Sequence, residues 1–198
     1  MWQILTAILG VSGAGARAVG SGVMGSPVTD IRLITIDDAG AIAEHIRRDR
    51  ETTGRWEPDW PPDYYTLDGQ RRRIERMLAR HRDGESWPGV IVAGQTVIGR
   101  MTVQEILQRA WRKASIGYWV GTPYQGQGHG TRAVDLVVQL MTRELGLHRA
   151  EAFTHIENTA SQYVLRRNRF QPIGIAHSRI FTGGAWHDEI MWERLLDE

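Results

Sequence analysis

The chain has 198 residues, a length that fits one domain large enough to bury its own hydrophobic core. Hydrophobic residues make up 41% and charged residues 24%, so the composition is that of a globular protein and excludes wholesale disorder. The net charge of +1 gives no electrostatic basis for binding nucleic acid or a membrane, and we expect neither partner. Because the chain has no cysteine, disulfide bonds, thiolate metal sites and a cysteine nucleophile are excluded.

Residues 1–26 differ in composition from the rest of the chain. They are rich in Gly, Ala, Ser and Val, and Arg17 is their only charged side chain. No Lys or Arg precedes the apolar stretch at residues 4–11, and that stretch is shorter than the ~20 residues that span a membrane. We therefore expect a flexible extension, or a translation start at Met24, ahead of a single domain at residues 27–198. A docking helix and a targeting segment are the alternatives, and the lack of a convincing export signal favours the cytoplasm.

From residue 28 onward, strand and helix signals alternate along the chain. Strands are predicted at residues 31–36, 87–93, 96–107, 114–120, 149–156, 170–181 and 185–195. Helices are predicted at residues 39–46, 67–81, 128–145 and 159–167, and an ordered aromatic loop at residues 53–65. This order predicts an α/β (α+β) sandwich in which helices flank a mixed, mostly antiparallel sheet.

A glycine-rich loop joins the strand that ends at Val120 to the helix that begins near Gly128. Glycines let the backbone approach a ligand closely, and the first amides of a helix have no intrahelical partner. The helix dipole favours an anion there, so the arrangement is typical of a pyrophosphate site. A loop that needs its glycines only to turn is the alternative. The spacing Gln125-x-x-Gly128-x-Gly130 matches neither the dinucleotide fingerprint nor a P-loop.

This spacing resembles the acyl-CoA-binding motif of the GNAT N-acetyltransferase superfamily. Residues 116–120 are similar to the strand that precedes the motif in that family, and residues 157–170 to its later Asn-x-x-Ser helix. The hairpin at residues 184–188 and the Trp-rich loop at residues 56–65 resemble those of the ribosomal-protein-alanine N-acetyltransferases. The resemblance covers about residues 28–195, and it implies the GNAT acyl-CoA N-acyltransferase fold.

The resemblance implies that a primary amine attacks the acetyl thioester of acetyl-CoA directly. It assigns a backbone amide near residues 119–121 to the thioester carbonyl and the Ser161 hydroxyl to the leaving thiolate as general acid. It places Asn158 against the pantetheine arm of acetyl-CoA, and a role only as helix N-cap is the alternative. A tyrosine that many members carry seven residues after the Asn is replaced here by Leu165. The residues that the resemblance places at acetyl-CoA are Trp119, Val120, Gln125, Gly126, Gln127, Gly128, His129, Gly130, Thr131, Asn158 and Ser161.

The general base is less defined than the acid. Some relatives in this branch carry a Glu on the strand after the Asn helix, and the matching position here is Ile180. We expect Glu105, on the central strand, to take this role, with a solvated strand-end carboxylate as the alternative. His155 or His187 acting through a water is a further candidate. Since an α-amine has a pKa of about 7.7–8.0 and Lys one of about 10.4, a site without a strong base favours α-amines or small amines of low pKa.

The aromatic loop supplies candidates for the acceptor pocket, namely Trp56, Trp60, Tyr64 and Tyr65, although such residues also pack without a ligand. No spacing of His and carboxylate residues indicates a catalytic metal. We expect a protein N-terminus, such as that of a ribosomal protein, as acceptor. A small amine such as an antibiotic, a succinyl donor, and an acyl-CoA sensor without turnover are the alternatives, and a homodimer is left open.

Overall fold

Seven strands and four α-helices form the part of the chain that the structure, a computed structural model, describes: residues 28–52 and 54–196. The expected extension at residues 1–26 lies outside these residues. The strands are β1 Thr29–Leu33, β2 Trp87–Ala93, β3 Thr96–Leu107, β4 Lys113–Val120, β5 Arg149–His155, β6 Gln171–Thr182 and β7 Ala185–Leu195. The helices are α1 Ala39–Arg48, α2 Leu67–Arg82, α3 His129–Arg143 and α4 Thr159–Arg167.

All seven strands belong to one sheet with the order β1-β2-β3-β4-β5-β7-β6. Every neighbouring pair is antiparallel except β4 and β5, which run parallel. The predicted α/β sandwich with a mostly antiparallel sheet is therefore confirmed. The predicted helices are present too, with small shifts at their ends.

Helices cover both faces of the sheet because its strands are apolar on both sides. On β2, Val90 packs in a cluster with Ile42 of α1 and Ile74 of α2. The next residue, Ile91, lies in the other cluster, which contains five residues of α3 and Leu165 of α4. Successive side chains of a strand point to opposite faces, so α1 and α2 lie on one face and α3 and α4 on the other.

The parallel pair separates halfway along its length. Strands β4 and β5 are hydrogen-bonded only from Lys113 to Ile116 and from Arg149 to Ala152. Beyond this point β4 continues on β3 as far as Val120, while β5 continues on β7 as far as His155. The two strands diverge there, and a wedge-shaped gap opens in the middle of the sheet.

Candidate active site

The gap between β4 and β5 exposes backbone amides of β4. The Gly121 amide donates to the Ile98 carbonyl at 2.8 Å, so the amides of Gly121 and Trp119 face β3. Backbone direction alternates along a strand, and the amides of Tyr118 and Val120 therefore face β5, with which pairing has already ended. Of the predicted residues, Val120 is thus the one that presents an unpaired amide to the gap.

The glycine-rich loop runs from the end of β4 to the start of α3 and is held by its own glutamines. Gln125 Nε2 donates to the Val120 carbonyl at 2.8 Å, and Gln127 Nε2 donates to the Pro123 carbonyl at 2.9 Å. Both predicted glutamines therefore turn back onto the loop. Their side chains stiffen the backbone that surrounds the gap.

Two glycines of this loop adopt a backbone conformation that other residues avoid. Gly126 has φ +72° and Gly128 has φ +86°, and Gly128 is the N-cap of α3 without any side-chain cap. The first amides of α3 are consequently available to a ligand. The His129 side chain is buried, and its Nδ1 forms a hydrogen bond with Thr29 Oγ1 at 2.7 Å. A ligand at the helix terminus would therefore contact the backbone of His129 and not its ring.

Helix α4 begins at the other side of the gap, with Asn158 as its N-cap. The Asn158 side-chain oxygen accepts a hydrogen bond from the Ser161 amide at 3.1 Å. Within the described residues, the Nδ2 group of Asn158 makes no hydrogen bond, and the residue lines the cleft. The capping role and a contact to a ligand are therefore compatible in this residue.

The Ser161 hydroxyl lies in the gap next to a tyrosine of β4. Its Oγ is 2.9 Å from the Tyr118 hydroxyl. Burial raises the pKa of the Tyr118 phenol far above its ordinary value, although the hydrogen bond with Ser161 opposes the shift. Tyr118 therefore stays protonated. We did not predict it as a site residue, but the alternation of β4 already places it on the face that α4 covers.

The gap opens into a cleft of about 1000 Å³, at the upper end of the range for ligand pockets. On the side of α3 and α4, it is bordered by the glycine-rich loop and the start of α4. On the other face of the sheet, it extends beneath the loop between α1 and α2. That end is lined by Trp56, Glu57, Trp60, Arg73, Arg80, Arg100, Thr102, Glu105, Phe153, His155, Arg179, Ile180 and Glu189.

Glu105 is aimed at the cleft by a bulge in β3. The residue pairs Gln104–Ser115 and Leu107–Lys113 leave two residues of β3 opposite a single residue of β4. Glu105 is one of the two, has φ +55°, and accepts a hydrogen bond from Ser115 Oγ at 3.4 Å. Such bulges redirect side chains beside active sites, and this one places the Glu105 carboxylate at the narrow end of the gap.

A second carboxylate, which was not predicted from the sequence, lies near Ile180. Glu189 of β7 is 7% exposed and accepts a hydrogen bond from Arg179 Nη1 at 2.5 Å. The Arg179 guanidinium also lies 3.4 Å from the centre of the Phe153 ring. Glu189 is thus compensated by a cation, and this pair forms part of the cleft wall.

The hairpin of β6 and β7 covers the open end of the cleft together with the loop between α1 and α2. Thr182 Oγ1 donates to the Glu57 carbonyl at 2.7 Å. The His155 ring centre lies 5.1 Å from that of Trp56 and 5.0 Å from that of His187. His155 therefore lines the cleft, whereas His187 packs behind it and does not line the cleft.

The four predicted aromatic residues are divided between two cavities. Trp56 and Trp60 line the large cleft. Trp60 stacks on Tyr64 at 4.6 Å, and Tyr64 packs edge-on against Tyr65 at 5.2 Å. Trp60 also borders a separate cavity of about 20 Å³, and Tyr64 and Tyr65 line only that one, which has room for about one water. The structure therefore brings two of the four to the cleft.

Metal ligands are absent from the part of the chain that the structure describes. No group of three or more His, Asp or Glu side chains in residues 28–52 and 54–196 is arranged to hold a metal ion. Among the helices of the same residues, none is long and apolar enough to cross a membrane.

Comparison with known proteins identifies the class to which this fold and site belong. Residues 30–171 match the family described as the acetyltransferase (GNAT) domain. The match covers more than half of the chain, and the chain therefore belongs to the GNAT acetyltransferase family. The predicted family is confirmed, and the protein is an acetyltransferase.

Relatives of known sequence are named as N-acetyltransferases. The chain is 38% identical over 128 residues to "Probable N-acetyltransferase YjcK" of Bacillus subtilis, covering 64% of this chain and 71% of that one. It is 23% identical over 163 residues to the [ribosomal protein uS5]-alanine N-acetyltransferase of Escherichia coli, covering 81% and 84% of the two chains.

Solved structures agree with this grouping. The ribosomal-protein-S5-alanine acetyltransferase of Vibrio fischeri has a TM-score of 0.81 at 28% identity, over 86% of this chain and 94% of that one. Mycobacterium smegmatis RimJ in complex with CoA-disulfide has a TM-score of 0.83 at 27% identity, over 86% and 83%. The fold is thus shared with proteins of this branch, one of which is solved with a CoA derivative.

Proposed function

We propose that the protein transfers the acetyl group of acetyl-CoA to a primary α-amine, with a protein N-terminus as the acceptor. One observation carries the proposal: unpaired amides of β4, the start of α3 and the start of α4 all border the same gap in the sheet. That gap joins a glycine-lined entrance on one face to a cleft on the other. A thioester held in the gap is therefore open to attack from the opposite face.

The glycine-rich loop and the first turn of α3 would hold the pyrophosphate of acetyl-CoA. Positive φ at Gly126 and Gly128 keeps side chains away from the backbone there, and the amides of Gly130 and Thr131 lie in the uncapped first turn. The pantetheine arm would then lie between β4 and β5, next to Asn158. Its amide groups would replace the strand pairing that β4 and β5 lack beyond Ile116.

The amide of Val120 would polarise the thioester carbonyl. As the amine nitrogen bonds to the carbonyl carbon, negative charge develops on the carbonyl oxygen, and a fixed backbone donor stabilises that charge. Collapse breaks the carbon–sulfur bond, and the Ser161 hydroxyl would give its proton to the departing sulfur. The Tyr118 hydroxyl, which stays protonated, can donate a hydrogen bond to Ser161 Oγ as that proton leaves.

Glu105 would accept the proton that the amine loses, through a water in the narrow end of the gap. Its bulge and its hydrogen bond from Ser115 fix the carboxylate on the acceptor face of the sheet. Glu189 is the less suitable group because Arg179 already holds it. With a single carboxylate as base, we expect an α-amine as acceptor. An α-amine with a pKa of about 7.7–8.0 is partly uncharged near pH 7, whereas a Lys side chain with a pKa of about 10.4 is not.

The relatives support an N-terminal acceptor, since the Escherichia coli relative is named as an alanine N-acetyltransferase of ribosomal protein uS5. We further infer that residues 27–198 form a single domain, because the described strands share one sheet.

The test is release of CoA from acetyl-CoA, followed with a thiol-reactive dye. The chain has no cysteine and so adds no background. Peptides with a free N-terminus, peptides with an acetylated N-terminus and one lysine, and small amines form the acceptor panel. We expect release with the first group and little with the second at pH 7.5.

Each outcome separates a distinct alternative. Release with small amines alone would replace the protein acceptor by a metabolite or an antibiotic. Release with succinyl-CoA but not acetyl-CoA would change the donor. Binding of acetyl-CoA by calorimetry without release for any acceptor would contradict the enzyme mechanism and favour a sensor.

A further inference from the structure

Two arginine side chains at the acceptor end of the cleft have no carboxylate partner. Arg100 of β3 is 8% exposed, and Arg73 of α2 lines the same cleft. Within residues 28–52 and 54–196, no carboxylate forms an ion pair with either guanidinium. By contrast, Arg80 in the same cleft is paired with Glu85 at 3.0 Å, and Arg179 with Glu189. Buried charge without a counter-charge is costly in a folded protein.

Unpaired hydrogen-bond donors lie at the same place. The Nε of Arg73 and the Nε1 of Trp119 are both buried and have no partner among the described residues. Trp119 is directly opposite Arg100 across β3 and β4, so the two side chains share one face of the sheet. Since buried donors are nearly always satisfied, these two point to an acceptor that the described residues do not supply.

The Arg73 guanidinium is held in a fixed orientation. It lies 4.4 Å from the centre of the Trp60 ring and 5.2 Å from that of Tyr64. Burial and then the charge of Arg100 lower its pKa, which reports the proximity of the two cations. The charge of Glu57 opposes this shift without forming an ion pair, and the Glu57 carboxylate accepts a hydrogen bond from Trp60 Nε1 at 3.0 Å.

We propose that Arg73, Arg100 and Trp119 form a subsite for a carboxylate that the acceptor carries close to its amine. This inference rests on the proposed acetyl transfer. A carboxylate has two oxygens and accepts hydrogen bonds from guanidinium groups in a planar, bidentate geometry. It would supply both the missing negative charge and the missing hydrogen-bond acceptors.

The position of the subsite limits where the carboxylate lies in the acceptor. Trp119 and Val120 are consecutive, and neighbouring strands are ~4.8 Å apart, so the subsite is on the order of 10 Å from the amide that faces the thioester. An extended chain covers that distance in about three residues. The carboxylate is therefore the α-carboxylate of a free amino acid or an acidic side chain within the first three residues of a peptide.

The experiment compares acceptors that differ only in this charge. Wild-type enzyme is given paired peptides with Glu or Gln at position 2 or 3, and paired free amino acids and amino-acid amides. We expect kcat/KM to be about 10- to 100-fold higher for the charged member of one set. Preference within the peptides identifies an acidic N-terminal sequence, and preference within the amino acids identifies a metabolite.

Variants assign the preference to the subsite. Arg100→Gln and Arg73→Gln should each reduce the ratio to within about threefold of unity, while the dissociation constant of acetyl-CoA by calorimetry stays unchanged. Arg80→Gln is the matched control, because it removes an exposed cleft arginine that already has a carboxylate partner, and it should retain the preference. If either arginine cannot be replaced without unfolding, the wild-type comparison and the other variant still decide.

Different results would contradict the carboxylate subsite and the proposed acetyl transfer. Turnover of peptides with no preference for either member of any pair would overturn the carboxylate subsite and leave acetyl transfer standing. Absence of CoA release with every acceptor would contradict the acetyl transfer itself. A preference that persists in both Arg73→Gln and Arg100→Gln would place the carboxylate elsewhere in the cleft.

Discussion

The Tyr118 hydroxyl of β4 and the Ser161 Oγ of α4 are 2.9 Å apart within the gap between β4 and β5. The contact joins the strand that presents the unpaired amide to the helix that borders the other side of the gap. Because the Tyr118 phenol remains protonated, its hydroxyl can support a negative or partly deprotonated Ser161 oxygen. The pair therefore forms a short donor chain directed at the place proposed for the thioester sulfur.

Replacing Ser161 by Ala tests this donor chain. We expect kcat to fall about 10²-fold, because the leaving thiolate loses its proton donor, while acetyl-CoA binds with an unchanged dissociation constant. Tyr118→Phe should have the smaller effect, since Ser161 keeps its own hydroxyl. Steady-state kinetics and calorimetry on both variants provide the measurement. A kcat for Ser161→Ala within twofold of wild type would remove Ser161 from the mechanism.

Glu105→Gln tests the base through its dependence on pH. At pH 7 an α-amine with a pKa of about 7.7–8.0 is mostly protonated and needs a base, whereas at pH 9.5 it is already neutral. The variant should therefore lose about 10-fold in kcat/KM at pH 7 and approach wild type as the pH rises.

The matched control for this experiment is Glu157→Gln, which removes another carboxylate that lines the cleft. Its pH profile should follow wild type. Parallel profiles for wild type and Glu105→Gln would show that Glu105 is a solvated carboxylate at the end of a strand.

Gly128→Ala tests whether Gly128 is required only for stability or also for acetyl-CoA binding. A Cβ at Gly128 would meet nothing within 4 Å, so the cost comes from φ +86° and is about 1–2 kcal/mol of folding free energy. We also expect acetyl-CoA to bind about 10-fold more weakly, because the altered loop no longer directs its amides at the pyrophosphate.

Gly146 offers a control for that substitution. It has φ +60°, a Cβ added there would meet no atom within 4 Å, and the residue lies outside the cleft. Gly146→Ala should lower the melting temperature to a similar extent and leave acetyl-CoA affinity unchanged. Equal loss of affinity in both variants would mean that Gly128 serves only the fold.

Stability should depend on pH through Asp38. Burial alone would raise the pKa of Asp38, but the hydrogen bonds and charge of Arg32 and the bonds from Thr35 outweigh it and lower the pKa. The ionised group therefore stabilises the fold above the unfolded-state pKa of ~3.9, and this contribution is lost as the pH falls below about 4.

Denaturant unfolding of wild type and Asp38→Asn between pH 3 and pH 7 measures this contribution. The variant should be about 1–3 kcal/mol less stable at pH 7, and the difference should shrink at the acid end. Asp37→Asn, at an exposed neighbouring position, is the control and should remain close to wild type. A constant difference across this range would mean that Asp38 acts through packing and not through its charge.

Local sequence was enough to predict the order of the elements and the glycine-rich loop. Periodicity of apolar residues is a local property, and the spacing from Gln125 to Gly130 is contiguous, so neither needs the fold to be recognised. Asn158 and Ser161 could be predicted as site residues for the same reason, since both lie at the first turn of α4.

The surroundings of these residues depend on the tertiary structure. The end of pairing after Ile116 leaves the Val120 amide unpaired, and no local pattern encodes where two distant strands separate. The bulge at Glu105, the pairing of Glu189 with Arg179, and the lack of an ion pair between Arg73 or Arg100 and any described carboxylate depend on contacts between elements far apart in the chain. Local sequence sets the backbone conformation, but charge compensation and strand divergence depend on which distant segments pack together.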